Sequence, residues 1–255
     1  MHAAIVLSSW LLAAQLSNDP ARAVSELQAA IRANPLVEEN YTQLGNLLLS
    51  TQNFREAIVV LEYARTKFPA SAQAALSLGV AYYGARRFED AVKGFVEASK
   101  LAPDVEQPVL FLGRIWEHAG EHEAEVVERF RAYSLAAPRS ALGHFLLGKA
   151  TGDEGELRKS IALRPTPDAH FELGQLLETQ GKAAGAIVEF EKCARLAPKF
   201  PAPHFRLFRL YARLGQKPKA EAHRALHAKL EAAEKAEADR RQAATKHLDL
   251  RMEQP

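Results

Sequence analysis

Cysteine is nearly absent from this sequence, with one residue, Cys193, in a chain of 255. A lone thiol excludes an intramolecular disulfide framework and any cysteine-rich zinc site. An excess of charge of one sign is also missing: 33 lysines and arginines stand against 31 aspartates and glutamates, for a formal net charge of +2. So balanced a chain has no broad field with which to gather nucleic acid or an anionic membrane surface. No uninterrupted apolar run of about 18 residues occurs, so the ordinary signature of a membrane-spanning helix is lacking. There is no glycine-rich phosphate loop, no nucleophile elbow and no CxxC pair. With 47% hydrophobic and 25% charged residues, the composition is that of a globular chain and not of a disordered one.

What the sequence has is internal repetition. Pro35, Pro69 and Pro103 are 34 residues apart, as are Gly45, Gly79 and Gly113, and Pro138, Pro165 and Pro198 continue the series. In register, Trp10, Leu44, Leu78, Leu112, Leu147, Leu173 and Leu207 form one column, and Gly45, Gly79, Gly113, Gly148 and Gly174 stand beside it. Further on come a small column (Ala23, Ala57, Ala91, Ala186, Ala220) and a large one (Leu27, Leu61, Phe95, Phe130, Phe190). Ala30, Ala64, Ala98, Tyr133 and Cys193 follow.

Two helices per repeat are implied. The Leu-Gly pair, with Tyr41 or Ala75 before it and Leu48 or Tyr82 after it, makes an i, i+3, i+4, i+7 stripe that needs a partner. Ala57, Leu61 and Ala64 supply it at the same spacing, with Gly45 expected to oppose Ala57 where the axes approach. Short turns such as Thr51-Gln52-Asn53 and Gln180-Gly181-Lys182 suit antiparallel neighbours, and each proline ends the second helix.

These columns resemble those of the tetratricopeptide repeat family, helix-turn-helix units of 34 residues, and about seven copies can be counted. The resemblance implies an all-α, right-handed α-solenoid of such repeats with a long C-terminal capping helix. Residues 1–37 form repeat 1, residues 38–230 repeats 2–7, and residues 231–255 a charged helical extension. The fourth repeat has one extra residue near Gly120 and Val126 in place of the small alanine. The fifth, about 140–166, is truncated, with Asp153 where alanine belongs, so its helices must be shorter. The seventh places Arg224 and His227 in buried columns.

Both ends invite a separate reading. After Pro218 no helix breaker occurs before Pro255, and an Ala/Lys/Arg/Glu-rich stretch predicts one long helix that covers the end of the solenoid. Residues 3–14 are apolar around their whole circumference. Their frame, with Trp10 in its column, favours the first helix of repeat 1 and a cytoplasmic protein; the alternative is a signal peptide over 1–14 and an exported or periplasmic assembly factor of the cell envelope.

Candidate chemistry is thin. His118 with His122, and His223 with His227, have i, i+4 spacing but no third ligand, so they read as surface histidines and no metal or cofactor is expected. His144, His170 and His204 recur four residues before the glycine column and read as interhelix packing. Cys193 falls in a small buried column and reads as inert. With no catalytic constellation, the chain is read as a non-enzyme.

In the family, partners bind the concave face of the first helices. Three residues before the glycine column stand Thr42, Leu76, Leu110, Phe145, Phe171 and Phe205; one after it stand Asn46, Val80, Arg114, Lys149, Gln175 and Arg209. Phe145, Phe171 and Phe205 are the expected apolar sockets, and Arg114, Lys149, Gln175, Arg209 and Arg213 the polar and cationic rim. The expected partner is a protein or peptide with apolar and acidic residues, and not nucleic acid. The carboxylate clamp of chaperone-binding members is not expected: Asn46 is present, but its companion is Thr42, and Ser77 and Gln107 occupy the later places.

Overall fold

The computed structural model describes residues 19–252, so residues 3–14, whether first helix or signal peptide, lie outside it. Among the described residues there are thirteen α-helices and no strand. In chain order they are α1 (Pro20–Ala33), α2 (Glu38–Ser50), α3 (Phe54–Lys67), α4 (Ala72–Gly84), α5 (Phe88–Leu101), α6 (Glu106–Ile115), α7 (Glu123–Ala136), α8 (Ala141–Thr151), α9 (Glu154–Leu163), α10 (Pro167–Thr179), α11 (Ala183–Leu196), α12 (Pro201–Arg213) and α13 (Lys217–Met252). From α2 onward they form six first-helix and second-helix pairs. None of them is long and apolar enough to cross a membrane. The helices gather into two compact units, one ending at Leu147 and one beginning at Gly148, within α8.

In the first unit the large column is the plug of each pair. Leu61, Phe95 and Phe130 are fully buried, and so are Ala57, Ala91 and Val126. At Gly45 and Gly79 the glycine column admits those plugs, whereas a Cβ at Gly113 would lie 2.5 Å from Leu146 Cδ2. A Cβ added at Gly45 would lie 2.5 Å from Leu61 Cδ2, and one at Gly79 2.6 Å from Phe95 Cδ1. Thus Gly45 opposes Leu61 and not Ala57, because the plug lies across the first helix. The small-to-small approach occurs elsewhere, where a Cβ at Gly94 would come 2.9 Å from Gly79 Cα. In the fourth repeat the extra residue is absorbed by two 3-10 turns, Trp116–His118 and Gly120–His122, with Gly120 at φ +51°. Helix α1 has no fully buried residue; its Val24, Leu27 and Ile31 are partly buried against the core of α2 and α3.

Helix boundaries follow local chemistry. Asp19 and Ser71 cap α1 and α4 by accepting backbone N–H bonds, satisfying donors that a helix start leaves unpaired. The turn from first to second helix needs one residue in the left-handed region. Gly181 and Gly215 supply it at φ +74° and +70°, but Gln52 and Arg86 hold the same place at φ +61°.

The helices of the fifth repeat, α8 and α9, have 11 and 10 residues where α10 and α11 have 13 and 14, which accounts for most of its shortening. Asp153 is the N-cap of α9, its carboxylate accepting from Glu156 N at 3.1 Å. A Cβ at Gly148 would meet Leu157 N at 2.8 Å, and one at Gly174 would meet Phe190 at 2.7 Å. Helix α13 is a single element of 36 residues in which residues 231–242 are all exposed.

Candidate functional site

First helices present one face to their own partner and leave another uncovered, and in each unit that second face holds a groove. In the first unit it is a cavity of about 420 Å³ on α2, α4 and α6, walled by Leu49, Leu76, Val80, Val105, Pro108 and Phe111. No charged side chain lines it; its polar members are Asn46, Gln73, Ser77 and Gln107. Ser77 donates to Asn46 Oδ1 at 2.8 Å, fixing that amide. Phe111 is held flat on Phe95, centroids 4.8 Å apart at 6°. The wall is therefore anchored to the core plug beneath it. This groove suits an apolar, uncharged segment whose backbone the amides could meet.

The second unit differs in charge. A groove of about 560 Å³ brings together Lys149, Gln175, Arg209 and Arg213 of the expected rim, with Arg206 added, against the carboxylates Glu172 and Glu178. Lys149 pairs with Glu172 at 3.0 Å; Arg213 and Arg206 reach Glu178 at 2.6 and 3.4 Å. With its amide oriented to satisfy both neighbours, Gln175 donates to Glu172 at 3.3 Å and accepts from Arg206 at 2.9 Å. Four cations against two carboxylates leave an excess of positive charge whose geometry is already organised by hydrogen bonds.

The three phenylalanines are placed differently. Phe171 is half-buried, its ring 5.2 Å from Phe200 and 5.6 Å from Phe190. Phe205 is 40% exposed, with the Arg209 guanidinium 5.8 Å from its centroid and the His227 ring 5.3 Å away. Neither belongs to the lining of the charged groove, although Arg209 both lines that groove and lies over the Phe205 ring. Phe145 is half-buried on α8 and Arg114 is exposed near the end of α6, both within the first unit.

The remaining candidates have structural partners. His118 lies flat on Phe88, centroids 4.3 Å apart at 10°. His122 approaches Glu125 at 3.7 Å. Among the described residues no three His, Cys, Asp or Glu side chains are disposed to hold a metal ion. Burial pushes the Cys193 thiol up to about 11, which keeps it protonated at neutral pH. Buried His144 bonds the Pro138 carbonyl at 3.1 Å, as Tyr41 does that of Pro35 at 3.2 Å. Buried His170 donates from Nδ1 to Glu189 at 2.6 Å. Burial alone would raise the Glu189 carboxyl, but hydrogen bonds from Lys192 and His170 outweigh it and hold the group below its usual value.

The apolar groove of the first unit was visible in part. Leu76 and Val80 occupy the groove positions of their repeat, whereas Val105, Pro108 and Phe111 come from the connection and first turns of α6, which column counting does not weigh.

Comparison with known proteins places these features in context. Residues 42–106 and residues 167–200 match family models described as Tetratricopeptide repeat. Over 87 residues the chain is 36% identical to Superkiller protein 3 of Schizosaccharomyces pombe, covering 34% of this chain but only 6% of that protein. Its fold is similar to PilW, described as a widely conserved type IV pilus biogenesis factor, with a TM-score of 0.56 at 21% identity over 74% of this chain and 90% of that one. It is also similar to YrrB, described as a TPR protein with an unusual peptide-binding site, with a TM-score of 0.51 at 18% identity over 80% of this chain and 91% of that one.

Proposed function

Since this chain is a tetratricopeptide-repeat protein, all-α and built of consecutive helix pairs, we propose that it is a non-catalytic protein-interaction scaffold that binds a peptide segment of a partner on the faces of its first helices. Phe145, Phe171 and Phe205 serve as apolar sockets, and Arg114, Lys149, Gln175, Arg209 and Arg213 as the polar and cationic rim. The observation that carries this reading is Arg209, which lines the cation-rich groove and also lies over the half-open ring of Phe205. An apolar residue next to a carboxylate would meet both at once. The uncharged groove on α2, α4 and α6 adds a second place for apolar side chains.

Spacing supports an extended ligand. Phe171 and Phe205 stand on the successive first helices α10 and α12. Packed helices stand roughly 10 Å apart, which an extended strand covers in about three residues. The partner segment should thus repeat an apolar residue about every third position, with acidic residues between. The test is selection of a displayed random peptide library on the intact chain. Enrichment of such apolar and acidic sequences is expected; a basic consensus, or no enrichment, would contradict the proposal.

A second reading, an envelope assembly factor, draws on the apolar segment 3–14 and on the likeness to a pilus biogenesis factor. It predicts a mature chain in the native cell that begins near Gln15 or Leu16, which mass spectrometry of the purified protein measures. A chain retaining residues 1–14 would remove it.

A further inference from the structure

The last helix pair is closed by a different kind of contact from those before it. In repeat six, α10 and α11 bury the Phe190 plug, and beside it His170 donates to Glu189. One repeat later the same two positions are His204 and His223. Their Nδ1 atoms lie 3.1 Å apart, so a histidine stands where its counterpart had a carboxylate. The plug is gone as well, because Arg224 takes the place of Phe190 and its side chain is 65% exposed. Helix α13 is held on α12 by Ala220 and by rings: His223 stacks on Tyr211 at 5.6 Å and 12°, and His227 lies against Phe205.

We propose that the His204–His223 pair is a proton-operated latch that holds α13 on α12 when it carries a single shared hydrogen and releases the helix when both Nδ1 atoms are protonated. In the neutral pair one Nδ1–H donates to the lone pair of the other, the second ring keeping its hydrogen on Nε2. A first added proton can go to the free Nε2 of the donor ring and leave the bond intact. The next must go to the accepting Nδ1, where two N–H groups and two positive charges then face each other across 3.1 Å. In repeat six the same acidification leaves His170 facing an acceptor. The direction of the response is therefore set by one substitution, glutamate to histidine, at one register position.

The surrounding charges favour release. From α13, Lys219 lies over the Tyr211 ring, Arg224 is exposed nearby in sequence, and His227 opposes protonation of His204. From α12, Arg209 lies over Phe205. Two carboxylates oppose them: Glu191 of α11, which accepts from Tyr211 Oη at 2.7 Å and faces His223, and Glu231 of α13, 3.5 Å from His227. Burial first, then the neighbouring imidazoles, holds the His204 ring below its ordinary value; burial, opposed by Glu191, holds His223 below its own. Groups depressed in this way contribute stability that is present above their unfolded value near 6.5 and lost as pH falls through the lowered values. Release uncovers the face of α12 that carries His204, Phe205 and Tyr211.

Hydrogen exchange of the intact chain at pH 7.5 and pH 5.5, corrected for intrinsic rates, tests the latch. The amides of 217–230 should lose at least about tenfold more protection on acidification than those of α11. H223E, which recreates the repeat-six pair, should remove that selective loss, and H223Q, which keeps a hydrogen bond but takes no second proton, should do the same. If one variant does not fold, the other decides. Equal loss in α11 and in 217–230 of the native chain, or a selective loss that survives in whichever variants fold, overturns the proposal.

Discussion

Gly79 lies directly beneath the ring of Phe95: a Cβ in its place would stand 2.6 Å from Cδ1 of a side chain with no exposed surface. Phe111 is stacked on the same ring, with centroids 4.8 Å apart at 6°, which limits how far it can shift. Gly79→Leu should therefore cost at least about 1–3 kcal/mol by overpacking, read as a lower urea midpoint. A variant as stable as the native chain would show that the register is misassigned.

Gln52 and Arg86 sit at φ +61° in turns where Gly181 and Gly215 do the same job without a Cβ. A non-glycine residue there is disfavoured by about 1–2 kcal/mol, partly offset by the greater freedom glycine has when unfolded. Gln52→Gly and Arg86→Gly should each stabilise the protein by about 0.5–1 kcal/mol in denaturant titration. Destabilisation by either would mean that its side chain is holding the turn.

The 34-residue spacing of prolines and glycines was enough to read helix pairs, their turns and the buried plugs, because each of those depends on contacts within one repeat. Leu61, Phe95 and Phe190 are legible as plugs for that reason. What fills the space at Gly45 was not, since composition suggests that small faces small, whereas the structure turns Leu61 across the glycine. The left-handed turns at Gln52 and Arg86 carry no glycine to mark them. His204 and His223 are 19 residues apart on different helices. Each read alone as a packing or surface histidine; only their meeting makes a chemical pair. The grooves were legible as positions but not as charges: Lys149, Arg206 and Arg213 are engaged by Glu172 and Glu178, which no column singled out.

Asp153 departs from the repeat pattern because it caps the shortened helix α9, accepting from Glu156 N. Asp153→Ala should destabilise the protein by about 0.5–2 kcal/mol, whereas Asp153→Asn should come close to native stability. Thermal denaturation of the two variants side by side makes the measurement. Equal stability of both would deny the cap any role.

The Glu189 carboxyl, held below its ordinary value of 4.5 by Lys192 and His170 against the opposing effect of burial, supplies stability that is present above that value. It is lost as pH falls through the lowered value. Urea midpoints at pH 7 and near pH 3.5 should therefore differ in the native chain, and the difference should be smaller in Glu189→Gln. An undiminished difference in the variant would assign the acid sensitivity to other carboxylates.

The central claim is that first-helix side chains on the open faces bind a partner segment. Its most direct test is the affinity of a library-selected peptide for the intact chain and for Phe205→Ala, with the melting temperature of both recorded in parallel. Phe205 is 40% exposed and its remaining surface lies against Phe208 and His227, so its truncation should disturb the fold only modestly. Full burial of a phenylalanine is worth about 1.5–3 kcal/mol, so covering the exposed two-fifths of this ring is worth about 0.6–1.2 kcal/mol, at about 1.4 kcal/mol per tenfold in affinity. Phe205→Ala should bind about three- to sevenfold more weakly, with only a modest fall in melting temperature. A sharp fall in melting temperature with undiminished affinity would contradict it and make Phe205 a packing residue.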